Sequence, residues 1–169
     1  MKTAIKRPAG REDLERRLAE LGIATSTVEH PPVFTVEEAR ALRGEIAGGH
    51  CKNLFLKDKK NAIWLVVALE ETFVDLKRLP ALIGSARLSF GRAELLVEVL
   101  GVEPGSVTPF ALINDKERLV NVVLEAAMMR HELLNYHPLV NSATMSIAAP
   151  DLVKFIRDCG HEPKVVELG

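Results

Sequence analysis

A chain of 169 residues, 47% of them hydrophobic, is long enough to bury a sizeable core in one domain without disulfide or metal staples. With 22 Lys and Arg against 23 Asp and Glu, the formal charge is −1, so no global basic footprint announces a nucleic-acid binder and any RNA contact must be local. Cys51 and Cys159 cannot build a disulfide framework and suit a reducing cytoplasm; no apolar run approaches the ~20 residues of a membrane span, and the charged start MKTAIKRPAGREDLERR has no export signal core.

Residues 11–21 place Leu14, Leu18, Ala19 and Leu21 at helical spacing between charges, with Gly22 as a stop, which predicts an amphipathic first helix. Residues 25–29 are β-branched and run into His30-Pro31-Pro32, so a strand ending in a loop is expected. Thr35 and Glu38 form a capping box for a helix through Leu42, and Gly44, Gly48 and Gly49 then mark a connection. Residues 50–69 read as a β-hairpin around the turn Asp58-Lys59-Lys60-Asn61. Helices are predicted over 75–83, interrupted by Pro80, and over 92–100. A turn-rich stretch over 101–108 leads to a buried strand at 118–124. Strands at 133–137 and 144–147, a helix from Pro150 to about Cys159, and a closing strand at 164–168 complete the chain. The sum is an α+β fold, one domain over 1–169, with helices flanking a mixed sheet and no internal repeat.

Lys52 is the most informative single residue. Strand alternation puts it on the face of Leu54 and Leu56, where an unpaired ammonium is costly, so it either has a partner or snorkels to water. Asn53 faces the other way. In GVEPGSVTPF, residues 101–110, glycine permits close approach and successive amides can converge on an anion or a developing oxyanion; a plain helix-to-strand connection is the simpler reading. In NYHPLVN, His137 precedes Pro138 at a strand end, where an imidazole can face a cleft or serve structure alone. His30 carries the same two readings. Cys51 beside Lys52 is open to reading as a nucleophile, but alternation turns it away, which favours a packed thiol. The histidines at 30, 50, 131, 137 and 161 show no metal-ligand spacing, so no metal or other cofactor is expected.

Four segments occur together and in order: EHPPVFT at 29–35, CKNLFLKD at 51–58, GVEPGSVTPF at 101–110 and HPLVN at 137–141. In them the chain closely resembles the YbaK-like prolyl-tRNA editing family, and most of all its free-standing deacylases of Ala-tRNA(Pro), relatives of the editing domain of bacterial prolyl-tRNA synthetases. The likeness runs from about Leu14 to Val166. It implies a central curved mixed sheet, an essential strand lysine matched by Lys52, and a pocket loop matched by residues 101–109. Asn53, His137 and Asn141 fall on motif positions of the alanine-editing branch, and Thr144 follows them.

The resemblance therefore implies an aminoacyl-tRNA deacylase with Lys52, Asn53 and His137 in catalytic roles. His30, Gly105, Ser106, Val107, Thr108, Pro109 and Asn141 would bind the substrate, the acceptor end of the proline tRNA. Prolyl-tRNA synthetase is a further partner, and neither a membrane nor DNA is expected. Two other readings stay open: a deacylase of the same family for Cys-, Ser- or Thr-charged tRNA, and a non-catalytic module that binds tRNA or a synthetase. Lys57, Lys59 and Lys60 are equally open to reading as an RNA contact or a solvated turn.

Overall fold

The computed structural model describes residues 8–32, 41 and 46–169. The helix expected from Thr35 falls outside the described residues. Within them the strands are β1 (Thr25–Glu29), β2 (Gly49–Asp58), β3 (Ile63–Leu69), β4 (Leu88–Phe90), β5 (Val120–Glu125), β6 (Leu133–Tyr136), β7 (Ala143–Ala148) and β8 (Lys164–Val166). The helices are α1 (Arg11–Glu20), α2 (Leu79–Ile83), α3 (Ala93–Leu100) and α4 (Ala149–Asp158).

The strands form a single mixed sheet in the order β1-β7-β6-β2-β3-β5-β8, with β4 paired to β2 off that path. The run IWLVVAL of β3 is apolar on both faces because both are covered. Leu65 and Val67 face the main core with α1, α3 and α4, while Val66 and Ala68 face a smaller core under α2 and Leu168. At the centre of the main core Phe110 meets Phe155 and Tyr136 edge to face, with centroids 5.5 and 6.0 Å apart. Helix α4 buries Ala149, Leu152, Phe155 and Ile156, one apolar stripe at helical spacing, and Pro150 lies in its first turn, where no amide is missed.

The hairpin forms as expected, and Asp58 pins its tip. Its carboxylate accepts from the amides of Lys60, Ala62 and Ala86 at 2.9, 3.0 and 3.2 Å and from Trp64 Nε1 at 3.2 Å. Burial pushes this acid up, but the donors together hold it below the usual carboxylate range.

Four differences from the expected helices and strands exceed a one-residue shift or add a strand. The helix expected over 75–83 is only α2: residues 75–78 form a turn on the Asp75 carbonyl, and Pro80 opens the helix instead of interrupting it. Strand β5 begins at Val120, because Arg118 is left-handed at φ +57° and Asp115 caps the amides of Leu119 and Val120 at 3.0 and 2.9 Å. The closing strand stops at Val166. The three-residue β4 is too short to leave a periodic signal and forms only because β2 offers it an edge.

Candidate active site

Strand β2 is paired with β3 throughout residues 51–57, but among the described residues strands cover its other side only at its ends. There β6 meets Gly49 and His50, and β4 meets residues 56–58. Because Gly91 N–H donates to the Phe55 carbonyl at 2.9 Å, the odd-numbered residues of β2 aim their main-chain groups toward that second side. Asn53 therefore presents its N–H and C=O to an edge with no strand partner among the described residues. Its side-chain Oδ1 is buried and accepts no hydrogen bond from the described residues. A buried acceptor left without a donor is costly and uncommon, which marks this stretch of edge as more than scaffold.

Beyond β6, β1 pairs antiparallel with β7, and β1 and β6 each lead directly into a histidine. His30 Nδ1 lies 2.9 Å from the Pro31 carbonyl, which can only accept, so Nδ1 carries the proton; Nε2 then accepts from the Thr144 hydroxyl at 2.9 Å. His137, one residue past β6, donates from Nδ1 to the Ala143 carbonyl at 3.0 Å. In the neutral ring that leaves its Nε2 lone pair without a partner among the described residues. The two rings lie 6.5 Å apart. The loop that follows His137 carries Leu139 at φ +70°, a left-handed conformation that costs a branched residue of order 1–3 kcal/mol and tends to accompany functional loops.

That loop also brings Asn141 to the 101–110 segment: a Cβ on Gly105 would lie 3.8 Å from Asn141 Nδ2. The segment starts at Gly101, the left-handed end of α3 at φ +67°, and then forms two short 3-10 turns, Pro104–Ser106 and Pro109–Asn114. Within it the roles divide. Ser106 N–H is taken by the Glu103 carbonyl at 2.9 Å, the Thr108 hydroxyl accepts from Phe110 N–H at 3.3 Å, and Thr108 and Pro109 are buried with Phe110. The Val107 amide turns back toward the Pro104 carbonyl in the first 3-10 turn, whereas the amide of Gly105 has no partner among the described residues, so it is the donor this loop has to offer.

Lys52 lies on the sheet face to which the parallel register of β2 with β6 also assigns His137. It stands opposite Ala68 on the face of the smaller core, with Leu54 and Leu56, while Asn53 stands opposite Val67 on the main-core face. The partner that its half-buried position demands is a carbonyl: Nζ donates to Thr72 O, in the turn that follows β3. Thr72 in turn gives its hydroxyl to Glu125. The structure thus brings His30, Thr144 and His137 together, and separately brings Asn141 to Gly105. No hydrogen bond or ring contact among the described residues joins Lys52 to the histidines. Sequence reasoning passed over Thr72 and Glu125, although an acid closing the buried run VNVVLE was a readable signal. Cys51 packs against the main core, and burial pushes its thiol up to about 11, which suits a packing group and not a nucleophile. Among the described residues no group of three or more His, Cys, Asp or Glu is placed to hold a metal ion.

Residues 30–155 match the family model described as the aminoacyl-tRNA editing domain. The chain is similar to the prolyl-tRNA synthetase associated domain-containing protein 1 of Bos taurus, with 41% identity over 163 residues, 94% of this chain and 95% of that protein. It is also similar to the prolyl-tRNA editing protein ProX of Acetoanaerobium sticklandii, with 37% identity over 153 residues, 90% of this chain and 93% of that one. In fold it is similar to the crystal structure of hypothetical protein APE2540, at a TM-score of 0.71 and 21% identity, over 90% of this chain and 97% of the other.

Proposed function

Because the chain belongs to the aminoacyl-tRNA editing domain family, and within it to the prolyl-tRNA editing branch, we propose that it hydrolyses the ester of alanine attached to the proline tRNA. Water adds across the ester carbonyl, the bond to the terminal ribose breaks, and free alanine and tRNA leave, with the proton returned to the ribose oxygen. An aminoacyl ester is already activated, so the enzyme must chiefly place a water, stabilise the oxyanion and exclude the correct amino acid.

The observation that supports this reading best is the fixed tautomer of His137. With Nδ1–H held by the Ala143 carbonyl, Nε2 is left as an acceptor beside His30, suited to orienting a water. The amide of Gly105, without a partner among the described residues, supplies a donor for the developing oxyanion. Asn53, whose buried acceptor and main-chain edge have no partner among the described residues, holds the aminoacyl end, and Thr144 steadies His30. Thr72 occupies one of the three protons of the Lys52 ammonium, which leaves the others for the terminal nucleotide. Alanine is the expected ester because a synthetase pocket built for proline rejects a smaller side chain by only ~1–3 kcal/mol per missing methylene. The enzyme acts on tRNA released from the synthetase, in the reducing cytoplasm that its two free cysteines suit.

The test is deacylation of Ala-tRNA(Pro), Pro-tRNA(Pro) and Ala-tRNA(Ala), with Cys-, Ser- and Thr-charged tRNA beside them. Selective loss of alanine from the proline tRNA, abolished in a folded Lys52→Ala variant, is expected. Selective hydrolysis of another ester reassigns the substrate, and tRNA binding without hydrolysis of any of them replaces the enzyme with a binding module.

A further inference from the structure

Glu125 is 1% exposed and takes no part in the chemistry above. It closes β5, where the parallel register with β3 has just ended at Val67 and Leu124. A carboxyl group that deep must be hydrogen-bonded. Its Oε1 accepts the Leu69 amide at 2.8 Å, and the Thr72 hydroxyl reaches its two oxygens at 3.0 and 2.8 Å. Both donors come from one turn, in which the Thr72 amide donates to the Leu69 carbonyl at 3.0 Å. One side chain thus grips both ends of the turn by which β3 leaves the sheet.

The carbonyl of Thr72 is the acceptor for the Lys52 ammonium. Lysine is a point charge on a long flexible stem, and among the described residues this carbonyl is its one hydrogen-bond partner. Where the ammonium points is therefore decided by where the turn holds the carbonyl. Glu125 is a firm anchor for that purpose, since it is paired with Val166 and the next amide, Ala126, donates to the Val166 carbonyl at 2.8 Å.

From this geometry we infer that Glu125 is a positioning residue for the editing reaction: acting through Thr72, it fixes the ammonium of Lys52 against the acceptor end of the tRNA. The inference rests on the part given to Lys52 in the proposed reaction. Two variants test it. Thr72→Val keeps the shape of the side chain and removes only the hydroxyl, and Glu125→Gln keeps the size and removes one acceptor. Each is compared with wild type, Thr72→Ser and Lys52→Ala in steady-state deacylation of Ala-tRNA(Pro), and by NMR of the 15N-lysine protein without substrate.

Both variants should lower kcat by about 10–100-fold, the scale of a misplaced catalytic group, with KM little changed, and Thr72→Ser should restore kcat. The ammonium cross-peak that vanishes in Lys52→Ala should move or vanish in both. Wild-type kcat in both variants, or a loss that Thr72→Ser does not restore, overturns the inference. The spectrum separates the two failures. An active wild type with an unmoved lysine peak removes the inference and leaves the reaction. A wild type inactive on every ester removes the proposed reaction, and the inference with it, while a peak that moves in both variants shows that the clamp on Lys52 still exists.

Discussion

Placing one methyl group at Gly105 separates the chemistry of the 101–110 loop from its architecture. A Cβ there would lie 3.8 Å from Asn141 Nδ2, an ordinary van der Waals contact, and the residue is exposed and not in the left-handed region. Gly105→Ala should therefore fold at least as well as wild type. Restricting a glycine whose native backbone alanine can adopt stabilises by about 0.4–1 kcal/mol, or about 1–4 °C in Tm for a chain of this size. The methyl group nevertheless fills the space between a free amide and Asn141, where the ester is proposed to lie, and a displacement on the scale of 1 Å costs roughly 100-fold. Thermal melting beside deacylation of Ala-tRNA(Pro) should show unchanged or raised Tm with kcat/KM down about 10–100-fold. Gly101→Ala makes the contrast. At φ +67° its Cβ would come within 2.8 Å of both Asn114 Nδ2 and Pro8 Cβ, so it should cost roughly 1–3 kcal/mol. A Gly105→Ala enzyme with wild-type kcat/KM would refute the placement of the ester beside this loop.

His137→Asn keeps a donor for the Ala143 carbonyl while removing the Nε2 acceptor, so kcat should fall at least tenfold with Tm within a few degrees of wild type; an active variant would remove His137 from water positioning. Asp115 is 2% exposed and accepts from His161 Nε2 at 2.8 Å as well as from its two capped amides. Burial raises this acid, but the His161 bond and the amides together leave it lowered in the folded state, so its stabilisation is present above the unfolded value of about 4 and is lost as pH falls through the lower folded one. Asp115→Asn should accordingly cost about 2–4 kcal/mol in urea unfolding at pH 7, and the gap should narrow as the pH is taken below about 4; a gap independent of pH would show that the charge is irrelevant.

Most of the elements were legible because they rest on local periods. Leu14 and Leu18 in α1, the stripe of α4 and the apolar run of β3 each announce themselves over one or two turns or strand steps. The failures share a cause. Strand β4 exists only against β2, and the start of β5 is set by Asp115 capping its first amides, so neither is encoded within its own few residues.

The site divides in the same way. Its segments were readable one by one. Lys52 carries two readings in the sequence, a partner or a snorkel to water, and the structure gives it the carbonyl of Thr72, 20 residues on. His30 meets Thr144 across 114 residues, and Glu125 meets Leu69 across 56. The amino-acid sequence alone determined the element types, the apolar faces and the motif segments, because these follow from backbone sterics and hydrophobic periods of 3.6 and 2 residues. Only the tertiary structure decided that β2 has no strand partner at Asn53 among the described residues, that Lys52 and His137 share a sheet face, and that a buried carboxyl group stands behind the lysine. Those facts depend on strand order, and strand order is settled by how distant faces pack, which no local pattern records.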